Sequence, residues 1–293
     1  MESKRLFDCI EHQLTNFPQE AMFAAKENGA WKKYPTTEVA STVNALSAGL
    51  LSLGLSGHDF TPEGSDKIAI ISSNRPEWLM ADMATQQIGV IWVPVYPTTN
   101  PLELTFILND ASVQYMFASN QDLYNKVMSI KDKVPCLKEV YTFDQIEGAK
   151  HWSELCLQDA DLLQQVDVIK KTIPVEQVAT FIYTSGTTGT PKGVMLTHHN
   201  IYFNLQSGKN SFPFPDRPDQ KVLSFLPLNH IFEKVASYIY MYSGMSIYYA
   251  ESLETIGENL KEVSPDCFST VPRLLEKMFE KIIKKTLKSV FFL

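Results

Sequence analysis

An α/β fold, with mostly parallel sheets flanked by helices, is what this sequence predicts, and three observations carry that reading. Short apolar, β-prone runs alternate with helical runs along most of the 293 residues, joined by short polar loops. That is the pattern of a parallel sheet covered on both faces. One such run, residues 178–183, feeds a loop made almost wholly of Thr, Ser and Gly, a bend suited to the oxygens of a polyphosphate. Apolar residues make up 44% and charged residues 20%, enough to bury a sizeable core as one large domain or two subdomains.

The elements follow in order. Val39, Val43, Leu46, Leu50 and Leu53 recur at three- and four-residue steps, which predicts an amphipathic helix over 36–53. A Gly/Pro/Ser/Asp-rich loop (56–66) leads to an apolar strand at 67–72, and Pro76 opens the next helix, as proline does in a first turn. Strands are expected at 90–95 and 113–118, with helices at 102–109 and 122–130. Between 140 and 172 the pattern weakens and charges cluster, so a seam is placed near Pro174. It divides a first α/β subdomain, 1–173, from a second, 174–293. In the second, strands are expected at 178–183, 193–197, 221–225, 245–250 and 266–270. Helices are expected at 198–206, 231–242, 253–263 and 274–290. The last carries five lysines on its polar side; it reads as a solvated outer helix or as a membrane-surface element.

Composition excludes several classes. The net charge of −7 argues against a general nucleic-acid binder, which would carry a basic surface. Cys9, Cys136, Cys156 and Cys267 are scattered without a C-x-x-C pair, so they read as reduced thiols rather than a disulfide frame or zinc site. Residues 1–16 lack a continuous apolar stretch of signal-peptide type. The longest uncharged run, 235–250, is too short and too rich in Tyr and Ser for a membrane span. The expected location is the cytoplasm, with peripheral membrane association left open, as is the oligomeric state.

Residues 182–198 read I-Y-T-S-G-T-T-G-T-P-K-G-V-M-L-T-H. Gly186 and Gly189 carry no Cβ and let the backbone approach a ligand; Thr184, Ser185, Thr187, Thr188 and Thr190 add hydroxyls, and Lys192 adds a charge. The loop is not a Walker A motif, because Thr190-Pro191-Lys192 stands where Gly-Lys-[Ser/Thr] is required. Alone it would also pass as an ordinary hairpin turn. Over this many consecutive residues, however, it closely resembles the phosphate loop of adenylate-forming enzymes: acyl-CoA synthetases, luciferases and the adenylation domains of peptide synthetases. Leu226-Pro227-Leu228-Asn229-His230-Ile231-Phe232-Glu233-Lys234 resembles a segment of the long-chain acyl-CoA synthetase branch that walls the acyl site. So does Ser269-Thr270-Val271-Pro272-Arg273-Leu274-Leu275-Glu276-Lys277, and residues 74–78 and 97 look like the family's amino-terminal region. The resemblance covers residues 31–277.

The resemblance implies a long-chain fatty-acid–CoA ligase using ATP, Mg²⁺ and, as co-substrate, CoA. A fatty carboxylate attacks the α-phosphate of ATP, and the thiol of CoA then displaces AMP. It implies a phosphate cradle at Thr184, Ser185, Gly186, Thr187, Thr188, Gly189 and Lys192, with Thr184 also reaching magnesium and with Lys192 and Thr184 as the catalytic pair. His230, Lys234 and Thr270 fall at the acyl site. By themselves His230 reads as a helix-start histidine, and Lys234 as either a tunnel gate or a surface lysine. The family's aromatic-Gly-x-Thr-Glu segment, its ribose-binding Asp and its small carboxy-terminal domain with a catalytic lysine are not found in these residues. The chain therefore reads as an amino-terminal piece of the fold, expected to be inactive alone. The alternatives are a non-catalytic product that binds nucleotide or a partner, and a relative acting on aryl or medium-chain acids.

Overall fold

The computed structural model describes residues 4–184, 189–212, 219–276, 279, 280 and 283. Two sheets organise them. The larger has seven strands in the order β7-β6-β5-β3-β4-β8-β9: β3 (Lys67–Ile71), β4 (Ile91–Val95), β5 (Tyr115–Ala118), β6 (Glu139–Thr142), β7 (Lys150–His151), β8 (Val178–Thr184) and β9 (Lys192–Thr197). All neighbours run parallel except β8 and β9, an antiparallel hairpin. Every residue of β3 and β4 is buried, as a parallel sheet covered on both faces requires. Pro94 lies within β4 and has no N–H to give; β4 and β8 share the single register pair Trp92–Thr180.

The smaller sheet has four strands in the order β10-β11-β1-β2. β1 (Phe23–Glu27) and β2 (Ala30–Tyr34) form a hairpin, and β10 (Lys221–Ser224) and β11 (Ser246–Tyr249) run parallel beside it. The hairpin was absent from the sequence expectations. Its two-residue turn is Asn28-Gly29, both at positive φ (51° and 79°), the conformation that favours this dipeptide.

The expected division at residue 174 does not follow the sheets. β8 and β9 lie beyond it yet complete the larger sheet, while β1 and β2 come from the first 34 residues and extend the smaller one. Between the sheets runs α3 (Pro76–Gln86), buried at every position and in contact with both β4 and β1. A helix that is buried all round is a core helix. The main apolar core gathers side chains from both sheets, among them Trp78, Trp92, Phe23 and Tyr249.

The remaining helices are α1 (Asp8–Asn16), α2 (Thr36–Ser52), α4 (Pro101–Asp110), α5 (Gln121–Met128), α6 (Ala160–Thr172), α7 (His198–Ser211), α8 (Ile231–Tyr242) and α9 (Ile256–Val263), and α8 is itself largely buried, hydrogen-bonded to α3. Their starts are written in side chains. Asn100, Asn120 and Asp159 accept from the backbone N–H groups of Glu103, Leu123 and Leu162, and Thr197 with Asn200 forms a capping box on α7. Two further expectations are corrected. Residues 266–270 form no strand; an isolated bridge joins Cys267 to Val222. There the Asp266 carboxylate takes the Lys221 N–H. The expected helix at 274–290 begins at 272, and most of it lies outside the described residues. No helix among the described residues is long and apolar enough to cross a membrane.

Candidate functional site

Strands β3, β4, β10 and β11 all point their carboxyl ends at one cavity of about 550 Å³. Its lining comes from residues 72–74 after β3, 96–98 after β4, 225–227 and 229 after β10, and 250–253 after β11, closed by 271, 273 and 274. This is where open α/β sheets bind ligands. The volume lies in the range of small-molecule pockets, and Phe225, Leu226, Leu253, Val271 and Leu274 make the walls apolar.

Two asparagines fix that cavity by clasping one sheet to the other. Asn74, just past β3, donates through Nδ2 to the carbonyl of Leu226 (2.7 Å) and to Ser224 Oγ (3.2 Å), and accepts at Oδ1 from the Leu228 N–H (2.9 Å). Asn229 reaches the other way, donating to the carbonyl of Val95 (2.6 Å) and accepting from Trp78 Nε1 (3.1 Å). Each amide uses donors and acceptors together, so neither is left with a buried polar end unpaired. Neither was singled out from the sequence; the signal available was an Asn directly after a predicted strand, at 74, and one before a predicted helix, at 229.

The β8–β9 hairpin stands at the same edge of the larger sheet. β8 runs parallel to β4, so Thr184 ends β8 where Val95 ends β4. Thr184 and Lys192 are Cα partners at the hairpin mouth, and both are exposed. Gly189 has φ of 83°, a left-handed conformation that glycine adopts without strain. A Cβ there would meet nothing within 4 Å, so backbone conformation rather than crowding calls for the glycine. Ser185, Gly186, Thr187 and Thr188 lie outside the described residues. One residue before the mouth, the Tyr183 hydroxyl donates to Asp110 Oδ2 at 2.5 Å, tying β8 to the end of α4. The exposed Thr184 hydroxyl is an oxygen donor of the kind Mg²⁺ takes. Among the described residues no cluster of three or more His, Cys, Asp or Glu is arranged to hold a metal.

The three residues expected at an acyl site separate. His230 caps α8, its Nδ1 accepting from the Phe232 N–H (3.2 Å), and it is exposed beside the cavity residue Asn229. Thr270 adjoins the lining residue Val271, with its Oγ1 buried and unpaired among the described residues. Lys234 is not the surface lysine of the sequence reading, and it is not among the residues lining this cavity. Its side chain is fully buried, with Nζ 2.8 Å from Asp82 Oδ1 and 5.7 Å from the centre of the Trp78 ring. Asp82 also accepts from Tyr238 (2.8 Å) and Gln86 (2.8 Å). Burial lowers the Lys234 pKa and the Asp82 charge opposes that. Its neighbour Glu233 accepts from Ser224 Oγ at 2.6 Å, and burial pushes its carboxyl up to about 8. His198, at the end of the Thr/Gly stretch, is a core residue. It is buried, its pKa lowered to about 3 by desolvation, and it accepts from the Leu6 N–H (3.3 Å).

Comparison with known proteins agrees with this architecture. The chain is 28% identical over 277 residues to the long-chain-fatty-acid–CoA ligase FadD15 of Mycobacterium bovis, covering 92% of this chain and 44% of that protein. It is 31% identical over 297 residues to the peroxisomal long chain acyl-CoA synthetase 6 of Arabidopsis thaliana, covering 95% and 40%. The chain thus spans about two fifths of the length of these relatives. Among solved structures, the N-terminal domain of FACL13 from Mycobacterium tuberculosis superposes with a TM-score of 0.73 at 17% identity, over 94% of this chain and 65% of that one. The long-chain-fatty-acid–CoA ligase FadD1 of Archaeoglobus fulgidus gives 0.71 at 19%, over 90% and 50%. The AMP-binding enzyme model matches residues 10–291, the sheets and helices have that fold, and the chain belongs to the AMP-binding enzyme family.

Proposed function

We propose that this chain carries the nucleotide-phosphate and acyl-binding portion of a long-chain fatty-acid–CoA ligase. One observation supports this best: an exposed Thr184–Lys192 hairpin mouth stands at the same carboxyl edge of parallel strands as an apolar cavity of about 550 Å³. An activated carboxylate needs both, a holder for polyphosphate and a dry slot for the acyl chain. Lys192 offsets phosphate charge, and the hydroxyls and N–H groups of residues 184–189 orient the β- and γ-phosphates. Thr184 would hold Mg²⁺, which supplies further neutralisation of the polyphosphate. The protein's own contribution is alignment of carboxylate and α-phosphate, so positioning and electrostatics dominate. Transfer to CoA is the second step of the proposed reaction, in the cytoplasm.

The test uses the 293-residue chain and equilibrium dialysis with Mg·ATP and with palmitate. Saturable binding of both, with ATP binding alone weakened in Lys192→Ala, is the expected result. Palmitate binding without ATP binding would remove the ligase reading.

A further inference from the structure

We infer that Glu233 is a positioning residue for the apolar cavity, acting through an unbroken chain of hydrogen bonds from α8 to the cavity wall. The Ser224 hydroxyl donates to Glu233 Oε1 at 2.6 Å and accepts from Asn74 Nδ2 at 3.2 Å. Asn74 then grips the β10–α8 connection at two points, the Leu226 carbonyl and the Leu228 N–H. That connection supplies Leu226, Pro227 and Asn229 to the cavity, as Asn74 itself does. Glu233 touches no cavity surface. It sets which way the Ser224 hydroxyl points, and so which of its lone pairs is left for Asn74.

The chain has a built-in dependence on protonation. Glu233 is 1% exposed, and its second oxygen has no partner among the described residues. A neutral carboxyl sits there at modest cost; a carboxylate held by one hydrogen bond in an apolar interior does not, because an uncompensated buried charge is far more expensive than a neutral group. The side chain then turns toward water and releases Ser224. The charged and titratable groups around it do not substitute for this effect. Lys234, beside it on α8, is turned to Asp82 of α3. Tyr240 on the same helix and Tyr249 on β11 both have pKa values raised by burial. Glu77 of α3, which acts on Tyr249, is held by Arg75, whose guanidinium is also paired with Asp144, so neither is turned to Glu233.

The inference rests on the proposed function only for its use, since the positioning itself can be read without any ligand. Amide hydrogen exchange is followed at Leu228, whose N–H ends the chain, from pH 6.5 to 9.5, in the native protein, Glu233→Gln and Ser224→Ala. Protection at Leu228 in the native protein is expected to fall by up to about tenfold across pH 8, the loss of one buried hydrogen bond. In Glu233→Gln, which keeps the acceptor for Ser224 and cannot ionise, protection stays level. In Ser224→Ala it is low and independent of pH. A native profile as flat as that of Glu233→Gln, or a Glu233→Gln profile that still falls, overturns the assignment. In parallel, an uncharged fluorescent dodecanol derivative reports on the cavity, with affinity expected to follow the Leu228 profile. Absence of probe binding at every pH, with the exchange result as expected, removes the cavity from the proposed function and leaves the positioning chain standing.

Discussion

Lys234 and Asp82 face each other at 2.8 Å with neither side chain exposed, across the junction of α8 and α3. With Tyr238 and Gln86 satisfying the carboxylate's remaining capacity, the pair joins helices 152 residues apart in sequence. Removing one member strands the other's charge in the core, which typically costs about 3–5 kcal/mol. Lys234→Ala and Asp82→Ala are therefore each expected to lower the urea midpoint severely. The double variant Asp82→Leu with Lys234→Met is expected to recover most of the loss. A double variant as unstable as the singles would show that packing rather than charge sets the cost.

Lys192 behaves in the opposite way. It is exposed at the hairpin mouth, so Lys192→Ala is expected to leave the melting temperature unchanged within error. Its loss should weaken Mg·ATP binding about tenfold to a hundredfold, the value of a charge-assisted contact of about 1.5–3 kcal/mol. A drop in stability with unaltered ATP affinity would make the stretch a structural turn.

Glu233 gives stability a slope with pH. Its folded value, about 8, lies above the ordinary 4.5, so between those values the native state keeps a proton that the unfolded chain has released. Stability is then fullest below about pH 4.5, declines as pH rises toward 8, and is level beyond. At about 1.4 kcal/mol per unit the total is a few kcal/mol. Urea denaturation at pH 5, 6.5 and 8 is expected to show the decline in the native protein and a shallower one in Glu233→Gln. Equal slopes would mean that the carboxyl is hydrated.

His230 caps α8 from an exposed position next to the cavity. His230→Ala is expected to cost about 1 kcal/mol of stability and to weaken palmitate binding more than Mg·ATP binding. Equal changes in the two dissociation constants, or none, would leave it a helix cap alone.

Much of the fold was legible because its central strands are written as short apolar runs. The strands at 67–71 and 91–95 and the helix at 231–242 fall where periodicity puts them. The β1–β2 hairpin was not read, although Asn28-Gly29 announced it. Its strands mix alanines with Lys26, Glu27, Lys32 and Lys33, and only their inner ends are buried, so the alternation is faint. Sheet membership was illegible for a different reason. Phe23 pairs with Ile247, and no local pattern reports a partner more than two hundred residues away. The β8–β9 hairpin could be located from its glycines and threonines. The burial of Lys234 could not, because a lysine in a helix reads as solvated until its distant aspartate is known. The clasping amides of Asn74 and Asn229 were hidden likewise, since asparagine between elements is the usual mark of a turn.

The clasp at the cavity is made of uncharged amides, and ionic strength discriminates between it and the hairpin. Salt shortens the reach of exposed charges to about 8–10 Å at physiological concentrations, and hydrogen bonds between neutral groups do not respond in that way. The slot between the sheets should therefore keep its form from dilute buffer to concentrated salt, while the polyanion binding proposed for Lys192 should slacken steadily. A salt titration separates the two halves of the site without a mutation: one half is held by shape, the other by charge.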